Sequence, residues 1–216
     1  MKKILVASAL LFHLNSIAQE TTLTLEQRIE AIPAKEKNAE AIIKHGIFTN
    51  DLELFKHGVG LAGKDLKKVK YSFNNLRINK GSVFIGATPL IHAASMGQLE
   101  MVKILIENKV NINADCNSPV YTDDIESANH SGRMKGLTAM HMAAQRGHKE
   151  IVQALVDAGS DFMTLFVEIE PGPGARGISA TARQWAKVHG QTEVEELLKS
   201  AKSSSMKQMW NSGGMK

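Results

Sequence analysis

Eight histidines, one cysteine and a short acidic run are the residues of this chain best suited to bind a metal, move a proton or attack an electrophile. Zinc ligation from a single helix needs two ligands at i and i+4, and a hydrolytic helix adds a glutamate between them. His148 and His189 have no His or Cys at that spacing, and His45, His57 and His130 stand alone. His92 and His141 sit where a helix is expected to start, a place suited to structural hydrogen bonds, and His13 lies in an apolar leader. Asp123, Asp124 and Glu126 lack the Asp-x-Asp-x-Asp-Gly order and terminal Glu of a calcium loop, so they read as a solvated acidic loop. Cys116, the lone cysteine, excludes an intramolecular disulfide and a thiolate cluster, and with no basic neighbour in sequence it reads as a bystander thiol in a loop. Gly58-Val59-Gly60 with Gly63 imitates a dinucleotide fingerprint, yet neither a leading strand nor a placed acidic residue accompanies it. No serine elbow and no phosphate loop occur. The sequence therefore predicts no catalytic residue, no metal and no cofactor. The competing enzyme reading would have to assemble a site in the long loops from His130, Asp123 and Cys116, with no nucleophile and base visibly paired.

The elements that position these residues belong to a globular chain of 216 residues, 43% hydrophobic and 22% charged. Only 5% of the residues are aromatic and the formal charge is +4 without a long basic run, which leaves little for nucleic-acid stacking or phosphate tracking. Lys2 and Lys3 precede an apolar block from Ile4 to Phe12, followed by Ser16-Ile17-Ala18. That order predicts a secretory signal over residues 1–18, cleaved near Ala18, and a block too short to anchor in a membrane. Losing Lys2 and Lys3 lowers the charge from +4 to +2. Periplasm is the default destination, with secretion the other.

One segment repeats. Gly86-Ala87-Thr88-Pro89-Leu90-Ile91-His92-Ala93-Ala94-Ser95-Met96-Gly97 recurs fifty positions on as Gly136-Leu137-Thr138-Ala139-Met140-His141-Met142-Ala143-Ala144-Gln145-Arg146-Gly147. The match continues through Glu100, Val102 and Leu105 against Glu150, Val152 and Leu155. Each copy reads as two short antiparallel helices: Thr88 and Thr138 cap the first, Gly97 and Gly147 end it, and an i, i+3, i+4 apolar stripe marks the second. Gly159 closes the second copy, whereas the equivalent Lys109 predicts a turn strained by roughly 1 kcal/mol. A more polar copy starts at Thr181, with its glycine, Gly190, forty-three positions after Gly147, and suits the outer cap of a stack. Ala39 to Gly46 followed by Asp51 to Lys56 reads as the helical part of one more unit with a few extra residues between its helices, Gly46 standing where Gly97 ends the first helix of the next copy.

These units resemble the ankyrin repeat, whose hallmark begins Gly-x-Thr-Pro-Leu-His; His141 holds the histidine position, while the first copy has Ile91 there and His92 one place later. The resemblance implies an all-α solenoid of about four helix pairs, near 39–62, 86–114, 136–163 and 177–200, with a 19–38 extension before them. Within that extension 23–32 is expected to form a helix, and residues 201–216 are expected to form a flexible tail. An ankyrin unit runs to about 33 residues, so the observed spacings put insertions at every junction, where the family carries β-hairpin fingers. Val69 to Phe73 pairs naturally with Ser82 to Ile85, Leu165 to Glu170 is strand-like, and 115–135 reads as polar and mobile.

The resemblance further implies a non-catalytic module that binds another protein through a concave face and these long fingers. Tyr71, Phe73, Phe84, Tyr121, Phe166 and Ile169 are the candidate contacts, because aromatic anchors with exposed apolar edges serve interface centres. The same side chains could instead pack each finger onto the stack. A secreted effector acting on a foreign cell is the second functional reading.

Overall fold

The computed structural model describes residues 23–33, 37–74, 83–121, 131–163, 165–170 and 178–211. The predicted signal, the acidic cluster at 123–126, His130 and the Pro-Gly turn at 171–174 lie outside them. The chain divides into two compact units, Met1–Ala62 and Gly63–Lys216.

In the first unit, α1 (Leu25–Glu30), α2 (Ala39–Thr49) and α3 (Leu52–Ala62) are each started by a side chain that takes an otherwise unpaired N–H. Thr24 Oγ1 accepts from Gln27 N, Asn38 Oδ1 from Ala41 N at 2.8 Å and Asp51 Oδ1 from Leu54 N at 3.0 Å. Gly46, expected to end α2, lies inside it: a Cβ there would sit 2.7 Å from the Phe55 nitrogen. Its lack of a side chain lets α2 and α3 approach closely, and the left-handed residue that ends α2 is Asn50, at φ 58°. Gly58 serves the same approach from the other side, against Ile43, so the dinucleotide look-alike is helix packing. Ile32, Ile42 and Leu54 form one buried cluster on which Leu25 and Ile29 pack, and Ile43, Ile47 and Phe55 are fully buried as well. Arg28 ties α1 to the start of α3 through Asp51 and through Glu53 at 2.7 Å, contacts that raise its pKa.

The second unit holds the repeats. A 3-10 turn (Gly63–Lys68) leads into β1 (Tyr71–Asn74) and β2 (Val83–Ala87), then α4 (Pro89–Met96) and α5 (Leu99–Glu107). The pattern recurs as β3 (Asp115–Tyr121), β4 (Ser131–Thr138), α6 (Ala139–Arg146) and α7 (Lys149–Asp157). It recurs again as β5 (Phe166–Glu170), β6 (Ile178–Thr181), α8 (Ala182–Val188) and α9 (Thr192–Asn211). Thr88, Thr138 and Thr181 accept from Ile91 N, His141 N and Gln184 N at 3.3, 3.4 and 3.4 Å. Gly97 and Gly147 take the left-handed cap, after which Gln98 N and His148 N each reach back to an alanine carbonyl at 3.0 Å.

Helix α4 packs on α6 and α6 on α8, while α5 packs on α7 and α7 on α9. The Ala-Ala pairs at 93–94 and 143–144 are fully buried at this seam, together with Val102, Leu105, Val152, Leu155 and Leu198. Helix α9 continues to Asn211, into the segment expected to form the tail.

The helices dominate, yet the inserted segments are not shapeless. The six strands form one antiparallel meander in chain order, β1 to β6, including the expected polar loop, whose arms β3 and β4 pair from Asp115↔Thr138 to Tyr121↔Ser131. Strands from successive repeats also pair, at Ile85↔Asn117 and from Lys135↔Glu168 to Arg133↔Glu170. The all-α expectation therefore covers the helical layers and omits this sheet.

Candidate docking surface

Alternation along a strand sends successive side chains to opposite faces, and directly paired residues share a face. In the sheet this separates an inner face from an outer one. Phe84, Cys116, Leu137 and Ala180 are buried, whereas their neighbours Ile85, Asn117 and Ser179 are exposed, Ile85 at 52%. Ile85 is paired with Asn117, and Glu168, also exposed, stands between Lys135 and Ser179. The outer face thus carries polar and charged side chains, with the apolar Ile85 among them, across all three strand pairs.

Three of the aromatic candidates point the other way. Tyr71, Phe73 and Phe84 are 6%, 4% and 2% exposed, which matches the alternative in which they pack the finger onto the stack. They close around the buried His92: the Phe73 ring stacks on the imidazole at 4.0 Å and on Phe84 at 4.9 Å, and the Tyr71 hydroxyl lies 3.0 Å from His92 Nδ1. His92 occupies the position that Met142 fills in the next repeat, so a polar ring there requires the phenol beside it. Tyr121, Phe166 and Ile169 have backbones in β3 and β5, paired with Ser131, Thr181 and both Met134 and Ile178; their side chains lie outside the described residues. Ile85 is absent from the sequence-based candidates because it is aliphatic, and side-chain type alone singles out aromatic anchors. Tyr71-Ser72-Phe73 and Phe84-Ile85 already alternate in a way that sets the rings and Ile85 on opposite faces.

Three further histidines, His141, His148 and His189, are joints of the stack, whereas His45 and His57 lie in α2 and α3 of the first unit. His141 is buried at the start of α6, where its Nδ1 lies 2.9 Å from Thr138 Oγ1 and accepts from Thr138 N. Burial pulls its pKa down to about 4, against the opposing pull of the Ala180 and Leu165 backbone. His148 is half-buried beside Gly97, and burial followed by the nearby Arg146 charge lowers its pKa. His189 Nε2 lies 3.1 Å from Gln145 Nε2, and its Nδ1 2.8 Å from the Trp185 carbonyl oxygen. No group of three or more His, Cys, Asp or Glu among the described residues is arranged to hold a metal ion.

Cys116 is in β3 rather than in a loop, and buried. Burial, with the Asp115 charge beside it, pushes the thiol up to about 12 although Lys70 pulls the other way, so it stays protonated and a poor nucleophile.

Stacked helix pairs whose strands join across repeats define a helical repeat protein. The ankyrin-repeat family model matches residues 49–165 with three copies, more than half of the chain, and the chain belongs to the ankyrin-repeat family. A search of curated proteins found no match. Ankyrin repeats generally serve as protein-interaction modules and are typically non-catalytic.

Proposed function

We propose that this chain is an exported, non-catalytic module that docks another protein on the outer face of its hairpin fingers and the adjoining concave side of the helices. The observation that carries the reading is the two-faced sheet. Its inner side chains are spent on packing, while Ile85, Asn117, Glu168 and Ser179 remain exposed in one band that spans successive repeats. A surface held by fixed strands loses little conformational freedom when it binds. The apolar Ile85 beside the polar Asn117 provides the mixed chemistry of an interface centre and its rim.

Export is supported by the lysine-led apolar leader, and no helix among the described residues is long and apolar enough to cross a membrane. Recovery from periplasmic or culture fractions of a chain that begins just after Ala18 is the expected result of N-terminal sequencing.

Docking is tested by capture from those fractions with the 19–216 chain as bait. Ile85→Asp and Asn117→Lys should each abolish a saturable capture that Lys103→Glu, on the helical side, retains. Capture unchanged in the two strand variants would overturn this surface, and turnover in a panel of hydrolase substrates would overturn the non-catalytic reading.

A further inference from the structure

Within Gly63–Lys216 a cavity of about 170 Å³ opens between the 3-10 turn, the start of α4 and the 110–115 segment that leads from α5 to β3. Its apolar wall is Leu66, Val69, Leu90 and Val110, and Lys67, Lys70 and Asp115 also line it. The next residue along the 3-10 turn, Lys68, is paired, 2.8 Å from Asp65. Lys67, Lys70 and Asp115 have no ion-pair partner among the described residues, although all three are exposed.

We infer that this cavity receives the carboxy-terminal residue of a partner polypeptide when that residue is apolar. The occupant rests on the protein-binding reading above; the cavity and its charges do not. Small-molecule sites usually enclose about 300–1,000 Å³, so a space of about 170 Å³ suits one residue better than a cofactor. The two ammonium groups suit a carboxylate, and the Asp115 carboxylate can accept the N–H that the same residue carries. A terminal residue brings its apolar side chain, its carboxylate and that N–H on one Cα, which matches the apolar, cationic and anionic groups that line so small a space together with Thr88, Asn111 and Asn113. The start of α4 offers the anion no N–H at Pro89, and Thr88 Oγ1 already accepts from Ile91 N.

The probe is N-acetyl-L-leucine, titrated into the isotopically labelled 19–216 chain and followed by amide chemical shifts. Saturable shifts at Leu66, Val69, Val110 and Asn111 are expected. N-acetyl-L-leucinamide, which lacks the carboxylate, and N-acetylglycine, which lacks the side chain, should each bind at least tenfold more weakly. The double variant Lys67→Ala/Lys70→Ala changes two exposed side chains, should keep its urea midpoint, and should lose at least tenfold in affinity. Val110→Trp, which fills the cavity, should abolish the shifts. Absence of saturable shifts, equal binding of the leucinamide, or unchanged affinity in the lysine variant overturns the inference. Equal binding of an internal mimic, acetyl-Leu-Asp-amide, overturns its terminal assignment. These outcomes need no partner, so they fail independently of the capture test with Ile85→Asp and Asn117→Lys.

Discussion

The imidazole of His148 fills the space in front of Gly97: a Cβ built on Gly97 would lie 2.7 Å from His148 Cε1 and 3.0 Å from Nε2. The two residues belong to successive repeats, and the next joint repeats the relationship with Gln191 against Gly147. Glycine at the end of the first helix therefore has two causes. One is local, the left-handed backbone at φ 77°, and the other is the side chain of the following repeat.

Gly97→Ala is expected to destabilise the protein by more than the roughly 1–2 kcal/mol of a left-handed non-glycine residue. In urea melts the loss should shrink when His148→Ala is added, because the contact is then gone. Strict additivity of the two substitutions would show that the ring moves aside without cost.

Lys109 adopts φ 54° where its counterpart Gly159 adopts 82°, so the first repeat closes the same turn with a residue that resists it. Lys109→Gly should raise stability by about 1 kcal/mol despite the added freedom of the unfolded chain. Gly159→Lys should lower it by a similar amount. The urea midpoints check both.

Acid should loosen the stack. His141 is neutral in the fold, with its pKa lowered from 6.5 to about 4, and His148 is shifted in the same direction. The unfolded chain therefore takes up the proton first. Stability from His141 is fully present above pH 6.5, declines as the pH falls from 6.5 towards 4 and levels off below, a loss of about 3 kcal/mol at roughly 1.4 kcal/mol per unit. His141→Gln keeps a capping box of the kind that Thr181 and Gln184 form, and it should flatten the slope between pH 6.5 and 4 in denaturant titrations.

Leu105 and Leu155 are fully buried where α5 meets α7 and α7 meets α9. Truncating either to alanine should cost about 2–5 kcal/mol by leaving a cavity between helices held by both neighbours. A midpoint near wild type would mean that the seam collapses around the smaller side chain.

Much of the helical layer was legible because its signals are local. A threonine before each first helix, a glycine after it and an apolar stripe along the second act within one or two turns, so Thr88, Thr138, Thr181, Gly97 and Gly147 needed no partner to be recognised. Gly46 misled for the complementary reason: its lack of a side chain serves contact with Phe55, while Asn50 supplies the turn. The same limit applied to Tyr71 and Phe73, whose type suits an interface or a core equally well.

The residue pattern alone was enough for the repeat, for the threonine starts and glycine ends of the first helices in its clearest copies, and for the scarcity of chemistry-bearing constellations, since each depends on neighbours a few residues apart. Only the tertiary structure decided that hairpins of separate repeats join edge to edge, that Ile85 faces out while Phe84 faces in, and that Asn113 Oδ1 accepts from Ser160 Oγ at 3.2 Å and Asp161 N at 2.9 Å. Those outcomes depend on which surfaces meet across some fifty residues of chain, where burial and hydrogen bonding are settled between repeats rather than within one.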